Sequence, residues 1–289
     1  MRKLVALCLF LGLLFSSCAA PSATADEALQ SAEESELTSA RELFDFFESG
    51  GSSVRLGADI DIEDAMLKLT SSRTPVEIIG NGHTISGSAP CVIRLEDGCS
   101  ITLNGVTIVG QQTGIGLLGN GTVAAVDADV SAQVNAIQAA GTLTVASASS
   151  LTLSGGEGGI VALGVCLQQD SVLSVTASSA AISTGRGDLM LYPRVRVSCE
   201  ASGSNAVETG GTLILMEESV LTANNTGEHN GVRAGYLQAS KGATLNAKGG
   251  INGAGLFVVE LYEDITLKGA STPDVKIEAG KGKLTFEAQ

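Results

Sequence analysis

The sequence contains no tryptophan, and aromatic residues make up only 3% of its 289 positions. A compact globule of this length ordinarily fills its core with rings; a stacked repeat with a thin core does not need them. Basic residues are also scarce, with 17 Lys and Arg against 31 Asp and Glu, and the formal net charge is −14. That balance excludes general nucleic-acid binding, which requires a basic footprint. It also argues against acidic polysaccharides or anionic lipid as the main partner. The cysteines lack the short paired spacing of a zinc site, and four beyond Cys18 are too few to frame a chain this long with disulfides. Neither a metal nor a cofactor is expected.

What is present begins with a leader. Arg2 and Lys3 precede an apolar run from Leu4 to Phe15, followed by Ser16-Ser17-Cys18. The run is too short to cross a bilayer as a helix and has the layout of a secretory signal. "LLFSSC" resembles the lipobox of bacterial lipoproteins, with Phe15 in place of the usual Leu. The resemblance implies cleavage before Cys18 and lipid on its thiol, which makes residues 1–17 a signal peptide and anchors the rest to a membrane. The rival reading, cleavage after Ala25, leaves a long polar gap behind the apolar run. Residues 18–37 are small, polar and acidic, and read as a lipidated tether. Loss of Arg2 and Lys3 makes the mature chain two charges more negative.

The fold signal follows. Ser39 and Glu42 have capping-box spacing, Leu43, Phe44 and Phe47 share a helical face, and Gly50-Gly51 stops the helix. A capping helix is therefore expected within 38–51. From residue 52 onward the pattern changes to short alternating strands with a period. Glycines at 98, 121, 141, 164, 187, 211 and 235 recur in steps of 20 to 24 residues. Apolar markers precede most of them: Ile115, Ile137, Ile160, Ile182, Val207 and Val232. Each unit holds three short strands and has no room for a crossover helix. Such a unit cannot bury its own apolar face, but stacked coils can. The expectation is an all-β fold, a right-handed parallel β-helix of about eight or nine coils over 52–289, with the short helix at its N-terminal end. A β-sandwich would show longer strands and no constant period.

The segments "VRLGADIDI", "VEIIGNGHTISG" and "ITLNGVTIVG" resemble the opening coils of pectate-lyase-like parallel β-helix proteins. The helix followed by "LGADIDI" and "IIGNGHTISG" is similar to the start of their adhesive, non-enzymatic bacterial branch. The specific wording is confined to 38–110; later coils match by period alone. The resemblance implies an exported, lipid-anchored, non-catalytic binding or adhesin-like surface protein, with glycans or a host or neighbouring cell surface as partner. Two alternatives stay open: a polysaccharide lyase or hydrolase with a shallow carboxylate site, and a structural component of the cell envelope.

Candidate residues can be placed on this period. Asp127 and Asp129 alternate with Val126, Ala128 and Val130 and should point outward together. Asp127, Ser147, Asp170, Arg194, Glu217-Glu218 and Lys241 form a column. Asp127, Asp129 and Asp170 are thus the carboxylates an enzyme would use, although mixed signs also suit a solvated ladder. The β-helix hydrolase signature of close Asp pairs followed by Gly-His-Gly and Arg-x-Lys is absent, and "YPRVRV" only loosely echoes the lyase arginine. His83 and His229 lie about six coils apart, on the order of 30 Å, and cannot form one site. "NNTGEHNGVRAGY" is the candidate ligand loop, offering Asn225, Glu228, His229, Asn230, Arg233 and Tyr236. Tyr192, Tyr236 and Tyr262 could stack on sugars. Cys166 aligns with Leu143 and Leu189, and Cys199 with Leu153 and Ala223, so both are expected in the core. Lys281 and Lys283 would discourage end-to-end stacking of the last strands. "VEIIGNGHTISG" reads as a corner at Gly80-Asn81-Gly82, since a phosphate loop would need a helix after it.

Overall fold

A computed structural model describes residues 36–70, 75–240 and 242–248 with their side chains, and beyond them the backbone of the strands Ile251–Gly253, Phe257–Leu261, Ile265–Gly269, Val275–Ala279 and Leu284–Glu287. All of these belong to one compact unit, Glu34–Gln289. Cys18, the signal peptide, Lys241, Tyr262, Lys281 and Lys283 lie outside the described residues.

One short helix leads into the strands. In α1 (Ala40–Ser49) the Ser39 hydroxyl accepts from the Glu42 amide, and the Glu42 carboxylate accepts from the amides of Ser39 and Thr38 at 3.1 and 2.9 Å. This reciprocal cap satisfies amides that the first turn leaves unpaired. Gly50 ends the helix at φ 85°, a conformation that costs glycine little. Leu43 and Phe47 are buried against the first coil, and Phe44 is half-buried. Leu37, at the end of the expected tether, already belongs to the fold: its amide donates to the Arg55 carbonyl at 2.8 Å, and its carbonyl accepts from Gly57 at 2.9 Å.

The strands, β1–β29 in chain order, wind into a parallel β-solenoid. The coil formed by β7 (Cys99–Asn104), β8 (Thr107–Gly110) and β9 (Thr113–Leu117) shows the plan. Each strand bonds only to its equivalents in the coils before and after, always in parallel. Strands equivalent to β8 form an 11-stranded sheet; those equivalent to β7 and β9 join in an 18-stranded one. Nine consecutive coils, from β1 (Ser53–Arg55) through β25 (Ile251–Gly253), carry strands on all three faces. Two further coils are described by two strands each. Partner residues lie 22 to 25 positions apart through the central coils. Continuous parallel pairing rules out the sandwich.

The core is built from columns. Ile93, Ile115, Ile137, Ile160, Ile182, Val207 and Val232 stand in register, all fully buried. These are the markers legible in the sequence, with one more at the N-terminal end. A second column runs Ile85, Ile108, Val130, Leu153, Val175, Cys199, Ala223, Ala247. β-Branched side chains are stiff at χ1 and stack well on a pleated surface. Each such burial contributes about 1.5–3 kcal/mol.

The glycines follow the period less strictly. Gly121 pairs with Cys99 and Leu143 rather than with Gly98 and Gly141. They crowd the same corner without occupying one rung. The corner in "VEIIGNGHTISG" has two left-handed residues, Asn81 (φ 52°) and Gly82 (φ 84°). A Cβ on Gly80 would come within 2.4 Å of the Gly105 carbonyl in the next coil, so close stacking demands glycine there.

Candidate functional site

The 11-stranded face carries mostly small polar side chains outward. Its strands include β2 (Ile60–Asp61), β5 (Thr84–Gly87), β8, β11 (Ala128–Ala132), β14 (Ser150–Gly155), β17 (Val172–Ala177), β20 (Arg196–Ala201) and β22 (Val220–Asn225). Alternation turns every second residue outward. One outward column reads Thr84, Thr107, Asp129, Thr152, Ser174, Ser198 and Thr222. Its neighbour reads Asp61, Ser86, Val109, Ser131, Ser154, Thr176, Glu200 and Asn224. Neither column has an aromatic residue.

At the N-terminal end of this face the second column forms the floor of an open groove of about 580 Å³. It crosses five coils, from Asp61 to Ser154. Where the strands leave the face, Glu63, Ser88, Gln111 and Gln133 rise along one edge. Glu63 sits in the left-handed region at φ 55°. Its amide donates to the Asp61 carboxylate at 3.0 Å, and its carbonyl accepts from the Ser88 amide and hydroxyl at 2.6 and 3.0 Å. These bonds pin the groove's acidic end. Gly110 lets the chain turn: a Cβ there would lie 2.6 Å from the Thr113 carbonyl.

The carboxylates singled out in the sequence fall elsewhere. Asp127 (φ 48°) and Asp170 (φ 61°) occupy a corner column in the left-handed region, together with Asn81, Gly105, Ala148, Arg194, Glu218 and Gly242. Ala148, not Ser147, takes the corner in its coil. The column therefore marks where the second to ninth coils bend onto the 11-stranded face. Asp170 receives both Arg194 nitrogens, Nε at 2.7 Å and the terminal nitrogen at 2.9 Å. That fork holds the Asp170 carboxyl below its usual range and keeps it ionised, the wrong state for a general acid. Asp127 lies two coils away, about 10 Å along the axis. Asp129 is exposed on β11, beyond the corner, and Val126 is exposed as well rather than inward. The three acids do not converge on one point.

The segment Asn224 to Tyr236 is divided among three places. Asn225 is buried; its carboxamide donates to the Ser204 carbonyl and accepts from the amides of Gly227 (2.8 Å) and His229 (3.2 Å). It shapes the turn and does not face a ligand. Asn230 pairs with Asn205 of the preceding coil. Glu228 and His229 are exposed at the turn. Arg233 lies on the next face in an ion pair with Glu208 at 3.0 Å. Tyr236 stands past the following corner, 53% exposed. Tyr192 packs against the core instead of offering a platform.

Register also corrects one cysteine. Cys166 pairs with Thr144 and Met190 on the outward side, and Val165 fills the core slot beside Leu143 and Leu189. Cys166 is accordingly half-exposed. The glycine used to align this coil sits one rung out of step. Cys199 is fully buried as expected, and burial pushes its thiol pKa far up. Cys91, Cys99, Cys166 and Cys199 are all free thiols. His83 contacts Asp59 at 3.3 Å, beside the Thr84 amide that also donates to Asp59. Among the described residues no group of three His, Cys, Asp or Glu side chains comes together as a metal site.

No protein-family model, no curated protein and no solved structure matches the chain. The groove rests on geometry alone. Its residues come from five coils, no more than three from each, so no local motif announces them. A signal does exist: Ile85-Ser86-Gly87, Ile108-Val109-Gly110, Val130-Ser131-Ala132 and Leu153-Ser154-Gly155 repeat apolar, outward, small at the end of each strand.

Proposed function

We propose that the protein is a non-catalytic binding solenoid of the pectate-lyase-like, adhesin-like kind, exported and held at a bacterial membrane by lipid on Cys18, and that it engages glycans. One observation carries this reading: two parallel columns of small hydroxyl, amide and carboxylate side chains run in register down a rigid face. Such a surface offers many weak hydrogen bonds at fixed spacing, and affinity accumulates over them. The acids that an enzyme would need are separated, one of them tied to arginine. A glycan array probed with the purified full chain tests the reading. Binding to a defined subset of glycans, without cleavage of the bound polymer, is the expected result. A blank array would instead favour a structural envelope role, and a shortened product would favour an enzyme.

A further inference from the structure

The binding reading names no place on the molecule; the groove on the 11-stranded face gives it one. We infer that this groove is a subsite for an uncharged, linear oligosaccharide lying along the solenoid axis, about one sugar residue per coil. The inference rests on the glycan-binding reading above and goes further by fixing site, orientation and charge class.

Three features of the groove support it. The first is shape. The floor residues Ser86, Val109, Ser131 and Ser154 are small and lie on successive coils. From Asp61 to Ser154 the groove spans four coil steps, roughly 19 Å at about 4.8 Å per step. That step is comparable to the length of one sugar residue in an extended chain, so a ligand along the axis meets the same kind of side chain once per residue. The volume of about 580 Å³ is that of a small-ligand site rather than a protein interface.

The second feature is hydrogen-bonding chemistry. The serines and the carboxamides of Gln111 and Gln133 both donate and accept, as sugar hydroxyls do. Asp61 and Glu63 only accept when ionised and suit a vicinal pair of hydroxyls at the end of the chain. Val109, 38% exposed, offers an apolar spot on the floor for a ring's C–H face.

The third feature is charge. No Lys or Arg lines the groove, and two carboxylates close one end. A uronate or sulfated chain would bring anions beside acids without a partner, an arrangement that costs affinity. The neutral class is therefore favoured over acidic polymers.

The test is calorimetric titration of the purified full chain with linear neutral oligosaccharides of one to six residues. Xylo-, cello- and N-acetylchito-oligosaccharides serve as probes, and oligogalacturonates as the charged arm. Affinity for at least one neutral series should rise with length up to about four residues and then level off, as the four-step span implies. Ser131→Arg, which fills the floor from an outward position, should weaken binding roughly tenfold or more, the scale of losing a few hydrogen bonds. Gln133→Ala is the milder second variant and should weaken it several-fold. Thr144→Arg, on the outward side of the 18-stranded sheet and away from the groove, should change nothing. Binding that is indifferent to Ser131→Arg and Gln133→Ala overturns the groove while the glycan-binding reading survives. Tighter binding of oligogalacturonate overturns the neutral class. If neither these probes nor the array shows binding, the glycan-binding reading fails along with the groove.

Discussion

At the scale of single residues, the clearest device is the corner column. From the second coil to the ninth, the bend onto the 11-stranded face carries a residue at positive φ, and most of these are not glycine: Asn81, Asp127, Ala148, Asp170, Arg194 and Glu218. A side chain in this region crowds its own carbonyl, and only Asn and Asp offset part of that by local hydrogen bonding. Ala148, at φ 56°, can do nothing of the kind. Ala148→Gly should therefore stabilise the fold by about 1 kcal/mol, even though glycine also gains freedom in the unfolded chain. The midpoint of denaturant unfolding should move up; an unchanged or lower midpoint would contradict the strain. The same column explains why acids recur at this spacing. The corner tolerates Asp, and outward exposure lets Asp170 pair with Arg194 one coil on. Backbone geometry and surface pairing account for the pattern.

At the scale of the element, each strand contributes one side chain to each column it crosses and can do little alone. The isoleucine column from Ile93 to Ile182 is the continuous spine of one side of the core. Ile137 lies fully buried between Ile115 and Ile160. Its truncation leaves a void that stacked neighbours cannot close without breaking two ladders. Ile137→Ala should cost about 2–5 kcal/mol, read as a fall in the denaturant midpoint. In the helix, by contrast, the sequence stated the cap outright, because a capping box is local. Register within a coil was less legible. One misplaced glycine shifted Cys166 by a single residue, and in a strand that shift turns a side chain from core to solvent.

At the scale of the whole molecule, coils contact only their neighbours, so stability is close to a sum over coils and their interfaces. The described face presents two outward columns over successive coils, and the groove lies along the first five of these coils. Lipid on Cys18 would supply the anchor, since two or more acyl chains give stable membrane attachment. Cys18→Ser should move the protein from the membrane fraction to the soluble one, measured by fractionation and immunoblot. Retention in the membrane fraction would sink the lipoprotein reading.

The sequence by itself determined the period, the parallel stacking, the N-terminal cap and the column of apolar markers. Each of these is written in local patterns: a capping box, alternation at two, and one apolar marker per coil. Only the tertiary structure decided which outward residues meet. Asp61, Ser86, Gln111, Gln133 and Ser154 are unremarkable turn and strand residues in the linear chain. They become a groove because coil stacking brings positions more than twenty residues apart to one strand spacing, and because a register exact to one residue selects which side chains face out.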